Sequence, residues 1–312
     1  MTSTARELTF AVVVPRAPFE LVGEIAQAAA ANYGQDIRFV RLRNEFDMVG
    51  MVNTGEVDLG CGTHQLVHWA HNGIGSYEAN HHVNLRAIAA IDQPRWFGFG
   101  VKTATGIQRF SDIAKLKYPL RLYNYGLKDQ TNIMAWTVKA VLAAHGVTLA
   151  DIESWGGQII SDPHDGANAV ADGTYDAIAG QVYGAYGPVG RIWNMATNRD
   201  DLRFLPIDED VLNQFHAKYD LHRGAIPRQL LKGVFADVPS FFYRSHVMYA
   251  HRDLEENVAH SITKSLFTDQ DRFLSQYVPL GYNPLKACTE TGIPLHPGAE
   301  KFYRDHHFLD RD

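Results

Sequence analysis

The run Tyr123-Asn124-Tyr125-Gly126-Leu127-Lys128-Asp129-Gln130-Thr131-Asn132 brings aromatic faces, amides, a hydroxyl and a lysine together just ahead of a helical pattern. That mixture suits a carboxylate carried on an apolar or aromatic body, because small-ligand sites combine apolar walls with a few placed polar groups. Thr131 or Asn132 could also serve simply to cap the helix that follows. Arg16 and Arg95 offer the fork geometry that grips a carboxylate through two parallel hydrogen bonds, although surface arginines are common. His64 follows Gly62-Thr63 at the end of an apolar run, where it could donate a hydrogen bond or act as a general acid or base. The string Asp162-Pro163-His164-Asp165 flanks a histidine with carboxylates, which can raise its pKa and let it shuttle protons. More often such a string is a solvated turn with a helix cap. His64, His68 and His71 lie at helical spacing, with His81 and His82 further on. No H-E-x-x-H accompanies them, so the expectation is a polar helix face and no metal. No other cofactor is expected.

Positioning such groups takes alternating strands and helices. Phe10 to Val14, Ile37 to Leu42 and Val57 to Cys61 are short runs of the kind buried parallel strands show. Between them lie Val22, Ile25, Ala26, Ala29 and Tyr33, then Phe46, Val49 and Val52, at helical spacing. Asn44 can cap the second of these helices. Leu85 to Ile91 and Trp96 to Val101 read as two strands joined by Asp92-Gln93-Pro94-Arg95. Leu120 to Tyr123 and Tyr175 to Gly180 are further strands, each followed by a helix. Beyond Phe204-Leu205-Pro206 the pattern turns helical, with helices expected from Asp208, over Leu254 to Leu266 and over Asp269 to Tyr277. Repeated βαβ units imply parallel sheets with right-handed crossovers. A middle segment inserted between N- and C-terminal parts implies two lobes, residues 1–93 with 206–312 and residues 94–205. No internal sequence repeat is evident.

In open α/β sheets, ligands sit outside the carboxyl ends of the strands, where helix N-termini favour anions. Four strand-to-helix loops qualify. The first offers Arg16 and Phe19, the second Thr63 and His64, and the crossing between lobes adds Arg95 and Trp96. The third offers Tyr123, Asn124, Tyr125, Lys128, Gln130, Thr131 and Asn132, and the fourth Gln181 and Tyr183. An acidic ligand should then bind less tightly to Arg95→Ala and Lys128→Ala variants. If the chain is an enzyme, His64, Lys128, Asp129 and His164 are the candidates for its acid/base work.

The 312 residues suit two cores, with 46% hydrophobic and 21% charged residues. The net charge of −6 and the lack of a basic run argue against nucleic acid or an anionic membrane surface as partner. Cys61 and Cys288 make no disulfide framework and no zinc site. No apolar stretch approaches the ~18 residues of a membrane span. Nucleophile-elbow, phosphate-loop and dinucleotide motifs are missing, which disfavours triad hydrolases and NAD enzymes. Residues 1–14 lack a basic region followed by a long apolar run and a cleavage site, so the chain as written is expected in the cytoplasm, or in the periplasm if a leader has been removed.

The order of segments resembles the TAXI family, the solute receptors of a class of TRAP transporters. Gly292-Ile293-Pro294-Leu295-His296-Pro297-Gly298-Ala299-Glu300-Lys301-Phe302-Tyr303 is similar to that family's P-L-H-P-G-A-x-x-Y/F-Y ending. Gly55-Glu56-Val57-Asp58-Leu59, Phe110-Ser111-Asp112-Ile113 and Asp172-Gly173-Thr174-Tyr175-Asp176-Ala177 resemble three further steps in the same order. The resemblance implies a two-lobed α/β fold of the class II periplasmic-binding-protein type. Its sheets would be parallel-rich and flanked by helices, with a ligand cleft between lobes that close by a hinge. It also implies a small organic acid as ligand and, for an exported chain, TRAP membrane subunits as partners. The family's glycine-rich first loop is here Val14-Pro15-Arg16-Ala17-Pro18-Phe19, so no particular ligand is transferred. The alternatives on the same fold are a cytoplasmic lyase acting on a carboxylated substrate and a ligand sensor. His296-Pro297-Gly298, away from the strand ends, is expected to lock the tail onto its lobe.

Overall fold

A computed structural model describes residues 7–13, 17–32, 34–183, 188–274 and 280–309; the side chains of 17–19, 188, 189 and 274 lie outside that description. The strands in chain order are β1 (Leu8–Val13), β2 (Ile37–Leu42), β3 (Leu59–Thr63), β4 (Leu85–Lys102), β5 (Arg121–Tyr123), β6 (Gln158–Ile160), β7 (Ala177–Val182), β8 (Leu202–Phe204), β9 (His222–Ile226) and β10 (Val238–His251). The chain divides into two compact units, Met1–Gln93 with Arg244–Asp312, and Pro94–Tyr243. Among the described residues no helix is long and apolar enough to cross a membrane.

In the first unit the strand order is β2-β1-β3-β10, with β1 parallel to β2 and β3, and β10 antiparallel to β3. In the second it is β6-β5-β7-β4, with β5 parallel to β6 and β7, and β4 antiparallel to β7. The same path is therefore built twice from unlike sequences. Phe10, Val12, Ile25, Ala29, Met248 and Phe302 are among the buried residues of the first core. Val170, Tyr175, Ile178, Trp193, Ala196 and Phe204 belong to the second.

The four motifs that carry the family resemblance all serve this architecture. Gly55 ends the Glu45–Thr54 helix in the left-handed conformation. Three residues on, Asp58 accepts from the Thr9 backbone N–H (2.8 Å) and hydroxyl (2.9 Å), tying β3 to the start of β1. In the second unit Gly173 ends the Pro163–Asp172 helix in the same way. Again three residues on, Asp176 accepts from the backbone N–H of Arg121, at the start of β5 (2.9 Å), and from its guanidinium. Asp112 reaches back to the N–H groups of Gln108 and Arg109 and fastens the start of the Phe110–Leu116 helix. In the C-terminal motif, the Ala87 N–H donates to Pro294 O and the His296 N–H to Ala87 O, both at 2.8 Å. Tyr303 OH donates to Ile88 O at 3.1 Å. The tail is thereby held on the first part of β4.

The structure departs from the sequence reading at several points. The run from Leu85 to Lys102 is one strand rather than two, because Asp92 exchanges both backbone hydrogen bonds with Gly281 and the chain stays extended through Pro94. The stretch after Pro206 holds the expected helices, Glu209–Tyr219 capped by Asp208 and Glu256–Thr268, but also β9 and the fourteen-residue β10, which the sequence did not reveal. In β10, Ser, Arg and His interrupt the apolar run and hide its strand character. Of the helix expected over Asp269 to Tyr277, the described part is Asp271–Leu274, and residues 275–279 lie outside the description. The second unit also extends to Tyr243, where the sequence suggested a limit at 205. The Leu205 N–H donates to Phe99 O, the Ile207 N–H to Pro239 O, and Phe215 stacks on Phe241 at 5.5 Å.

Burial holds the pKa values of His71, His82, His260 and His296, all in the first unit, below the ordinary histidine value. Below pH ~6.5 the unfolded chain then binds more protons than the folded one, so stability is complete above that pH and is lost as the pH falls. The melting temperature is expected to stay level from pH 8 to 7 and to decline from ~6.5 towards 5. A melting temperature that rises over that interval at constant ionic strength would contradict the assignment.

Candidate functional site

The carboxyl ends of β5, β6 and β7 lie at one edge of the second unit's sheet, because the three strands are parallel. Since β4 runs antiparallel to β7, with Trp96 opposite Val182, Arg95 and Trp96 reach the same edge. Residues from several segments therefore lie at that edge.

The loop after β5 is stitched to the loop after β6. The Asn124 N–H donates to Ile160 O (3.1 Å), the Gly126 N–H to Ser161 O (3.0 Å) and the Lys128 N–H to Ser161 Oγ (3.0 Å). The turn closes by Thr131 N–H donating to Gly126 O (3.3 Å). Gly126 has φ +73°, and a Cβ there would fall 2.1 Å from Thr131 Oγ1, so the close approach requires glycine. Gln130 is held at φ +52°, a left-handed conformation that costs a non-glycine residue about 1 kcal/mol or more.

Asn132 caps the Ile133–Ala144 helix. Its Oδ1 accepts from the N–H groups of Met134 and Ala135, and its Nδ2 donates to Tyr125 O. Its side chain is thus committed to the fold. Asn124 differs. Its Nδ2 donates to Ala179 O at 2.9 Å, which fixes the amide's orientation, while its Oδ1 is buried without a partner among the described residues. Tyr123 packs against Gly166, and burial pushes its pKa up to about 12, so it stays un-ionised.

Arg95 is fully buried, its guanidinium carbon 5.8 Å from the centre of the Tyr243 ring. Tyr243 OH in turn lies 2.7 Å from Thr137 Oγ1. Trp96 is half-buried, with the Phe242 ring 5.5 Å away. Tyr183 OH donates to Gln181 Oε1, and Trp193 Nε1–H donates to Gln181 O at 2.8 Å. Lys128 and Asp129 are exposed; Lys128 Nζ lies 4.0 Å from Glu153. The Asp162 carboxylate caps the Pro163–Asp172 helix by accepting from the His164 and Asp165 N–H groups. The histidine between carboxylates is therefore a helix start. His164 is exposed, with Nδ1 3.2 Å from Asn168 Nδ2.

The first unit has a corresponding edge at the carboxyl end of β3. Thr63 donates its N–H (2.9 Å) and its hydroxyl (2.7 Å) to Oε1 of Glu45, a fully buried carboxylate. His246, opposite Thr63 on β10, bonds Gln93, and beside it Ser245 Oγ is buried without a partner among the described residues. His64 stacks parallel on His68, and a Cβ on Gly292 would fall 2.5 Å from His64 Nε2. The His68 ring bonds Gly292 O at 2.9 Å. His64 and His68 thus face the C-terminal segment. Among the described residues no group of three His, Cys, Asp or Glu side chains is placed to hold a metal ion. Arg16 and the side chain of Phe19 lie outside the described residues.

Sequence reasoning missed Glu45, Gln93, Ser161, Tyr243, Ser245 and His246. Glu45 and Ser161 each follow a strand closely, a signal that was available. The other four sit where long strands pass from one unit to the other, and only strand pairing reveals that position.

Three solved structures show the same fold. A binding-protein component of a phosphonate ABC transporter from Pseudomonas aeruginosa aligns with a TM-score of 0.52 at 9% identity, over 98% of this chain and 96% of its own. A protein from Bordetella bronchiseptica RB50 gives 0.52 at 13% identity, over 96% and 98%. A Xanthomonas citri protein bound to ATP gives 0.50 at 11%, over 97% and 98%. At such identities the likeness concerns the fold, which is periplasmic-binding-protein-like. A family model described as NMT1-like matches residues 21–306, nearly the whole chain, and the protein belongs to the NMT1-like family.

Proposed function

We propose that the protein is a solute-binding protein for a small organic acid, held at the carboxyl-end edge of the second unit's sheet. The observation that carries this reading is the gathering at that edge of Arg95, Trp96, Asn124, Tyr125, Gln181 and Tyr183 from separate segments. Arginine keeps its charge when buried, so Arg95 sets a fixed positive charge there, which favours an anion. The aromatic side chains supply apolar wall, and the N-termini of the Ile133–Ala144 and Pro163–Asp172 helices add their positive dipole ends. The finer reading is a TAXI-type receptor that works outside the cytoplasm with TRAP membrane subunits. It rests on the motif resemblance alone, since those motifs serve the fold and name no ligand.

The test is a thermal-shift screen of the purified protein against aliphatic and aromatic carboxylates, with mass spectrometry of each hit. An acid that raises the melting temperature and is recovered unchanged supports the reading. If no acid shifts the melting temperature the reading fails, and an acid that is consumed replaces it with an enzyme.

A further inference from the structure

We propose that Asn124 selects ligands bearing a hydroxyl or N–H group, because its carbonyl oxygen is built into the site as an acceptor awaiting a donor. This rests on the acid-binding reading and narrows it to hydroxy- or amino-substituted acids.

Asn124 is the first residue after β5, at the edge where the loops converge, and it is 4% exposed. The amide cannot be turned to hide its oxygen, because Nδ2 is already committed to Ala179 O at 2.9 Å. Oδ1 is therefore fixed as the second branch, buried and without a partner among the described residues. Native proteins rarely leave such an acceptor unmet, and where no protein group meets it an ordered water or a bound ligand commonly does. The neighbouring backbone makes room for the amide: Gly180 has φ +147°, and a Cβ there would already stand 3.4 Å from Asn124 Nδ2. The group is also the right kind for an acid ligand. A neutral carbonyl accepts a hydrogen bond without adding negative charge beside a carboxylate, whereas aspartate would repel it.

A ligand with a donor at this point satisfies Oδ1, and its deoxy counterpart leaves the oxygen desolvated and unpaired. That difference corresponds to roughly 5- to 150-fold in affinity.

The experiment is titration calorimetry of the full chain with matched probes: glycolate against acetate, lactate and 3-hydroxypropionate against propionate, malate against succinate, 4-hydroxybenzoate against benzoate, and glycine against acetate. It is repeated with Asn124→Leu, which fills similar space without an acceptor. Donor-bearing probes are expected to bind wild type roughly 5- to 150-fold tighter than their partners, with the ratio falling to about twofold or less in the variant. Equal affinities within the pairs, or a ratio that survives in the variant, overturn the role of Asn124 and leave acid binding standing. Binding of no probe overturns the acid-binding reading and this inference with it. If Asn124→Leu does not fold, Asn124→Ala carries the comparison, and the wild-type ratio decides by itself whether the preference exists.

Discussion

Replacing Gly298 by alanine is expected to lower stability by about 3 kcal/mol, near the upper end of ordinary overpacking costs. Gly298 lies in the first turn of the Pro297–Asp305 helix, which packs on the Glu256–Thr268 helix. A Cβ at this position would fall 2.1 Å from Glu256 O and 2.9 Å from His260 N. Both are backbone atoms, so no rotamer change can relieve the contact and the two helices must move apart. They share a buried seam that includes Ala259 and Phe302, and separation opens it. The gain in helix propensity from glycine to alanine, about 1 kcal/mol, does not offset this. In a unit of this size the melting temperature should fall by ~6–12 °C. Gly106→Ala is the control. Gly106, unlike Gly298, has a positive φ, +75°, but open space beyond its Cα, so only the backbone penalty of about 1 kcal/mol applies. Equal melting temperatures for Gly298→Ala and wild type would show that the helices are not locked there.

Asp176→Ala is expected to destabilise the second unit by about 2–3 kcal/mol. The carboxylate accepts three hydrogen bonds from Arg121: the backbone N–H and Nε–H at 2.9 Å each and Nη2–H at 2.7 Å. Its removal strands a backbone donor at the first residue of β5 and releases the register between β5 and β7. The cost stays below that of a wholly buried pair because the Arg121 side chain is 40% exposed and can regain water. The charge leaves a pH signature. Burial works to raise the Asp176 pKa, but the hydrogen bonds and charge of Arg121 outweigh it and hold the carboxyl below its ordinary range. Its contribution is therefore present above pH ~3.9 and is lost as the pH falls through the lowered pKa. The gap between wild type and Asp176→Ala in denaturant melts should be constant from pH 7 to 5 and narrow below ~4. A gap that widens on acidification would mean that packing, and not this ion pair, makes the difference.

Much of the first unit was legible in the sequence because its elements are local. Phe10 to Val13 is a β-rich run, Asn44 is a helix cap, and Gly55 and Gly73 sit in left-handed C-caps. At Asp162 the string of carboxylates and histidine allowed a catalytic reading beside the commoner one of a capped turn, and its chemistry is the capping bond to two backbone N–H groups. Lys128, expected as a ligand group beside Asn124, is exposed, with Nζ 4.0 Å from Glu153. Neighbours in sequence can point to opposite sides of a loop, and spacing alone does not say which.

The sequence by itself determined the alternation of strands and helices, the loops at the strand ends, and the glycines and aspartates that fasten them. These follow from forces acting over a few residues: periodic apolar burial, capping and allowed backbone angles. Only the tertiary structure decided that β10 rather than β4 flanks β3, that residues 206–243 belong to the second unit, and that one path of strands is built twice. It also singled out Asn124, since the partner of its amide, Ala179 O, is supplied by a strand 55 positions along the chain. Hydrogen bonds between distant strands form or fail according to register, and register is a property of the assembled sheet that no single segment contains.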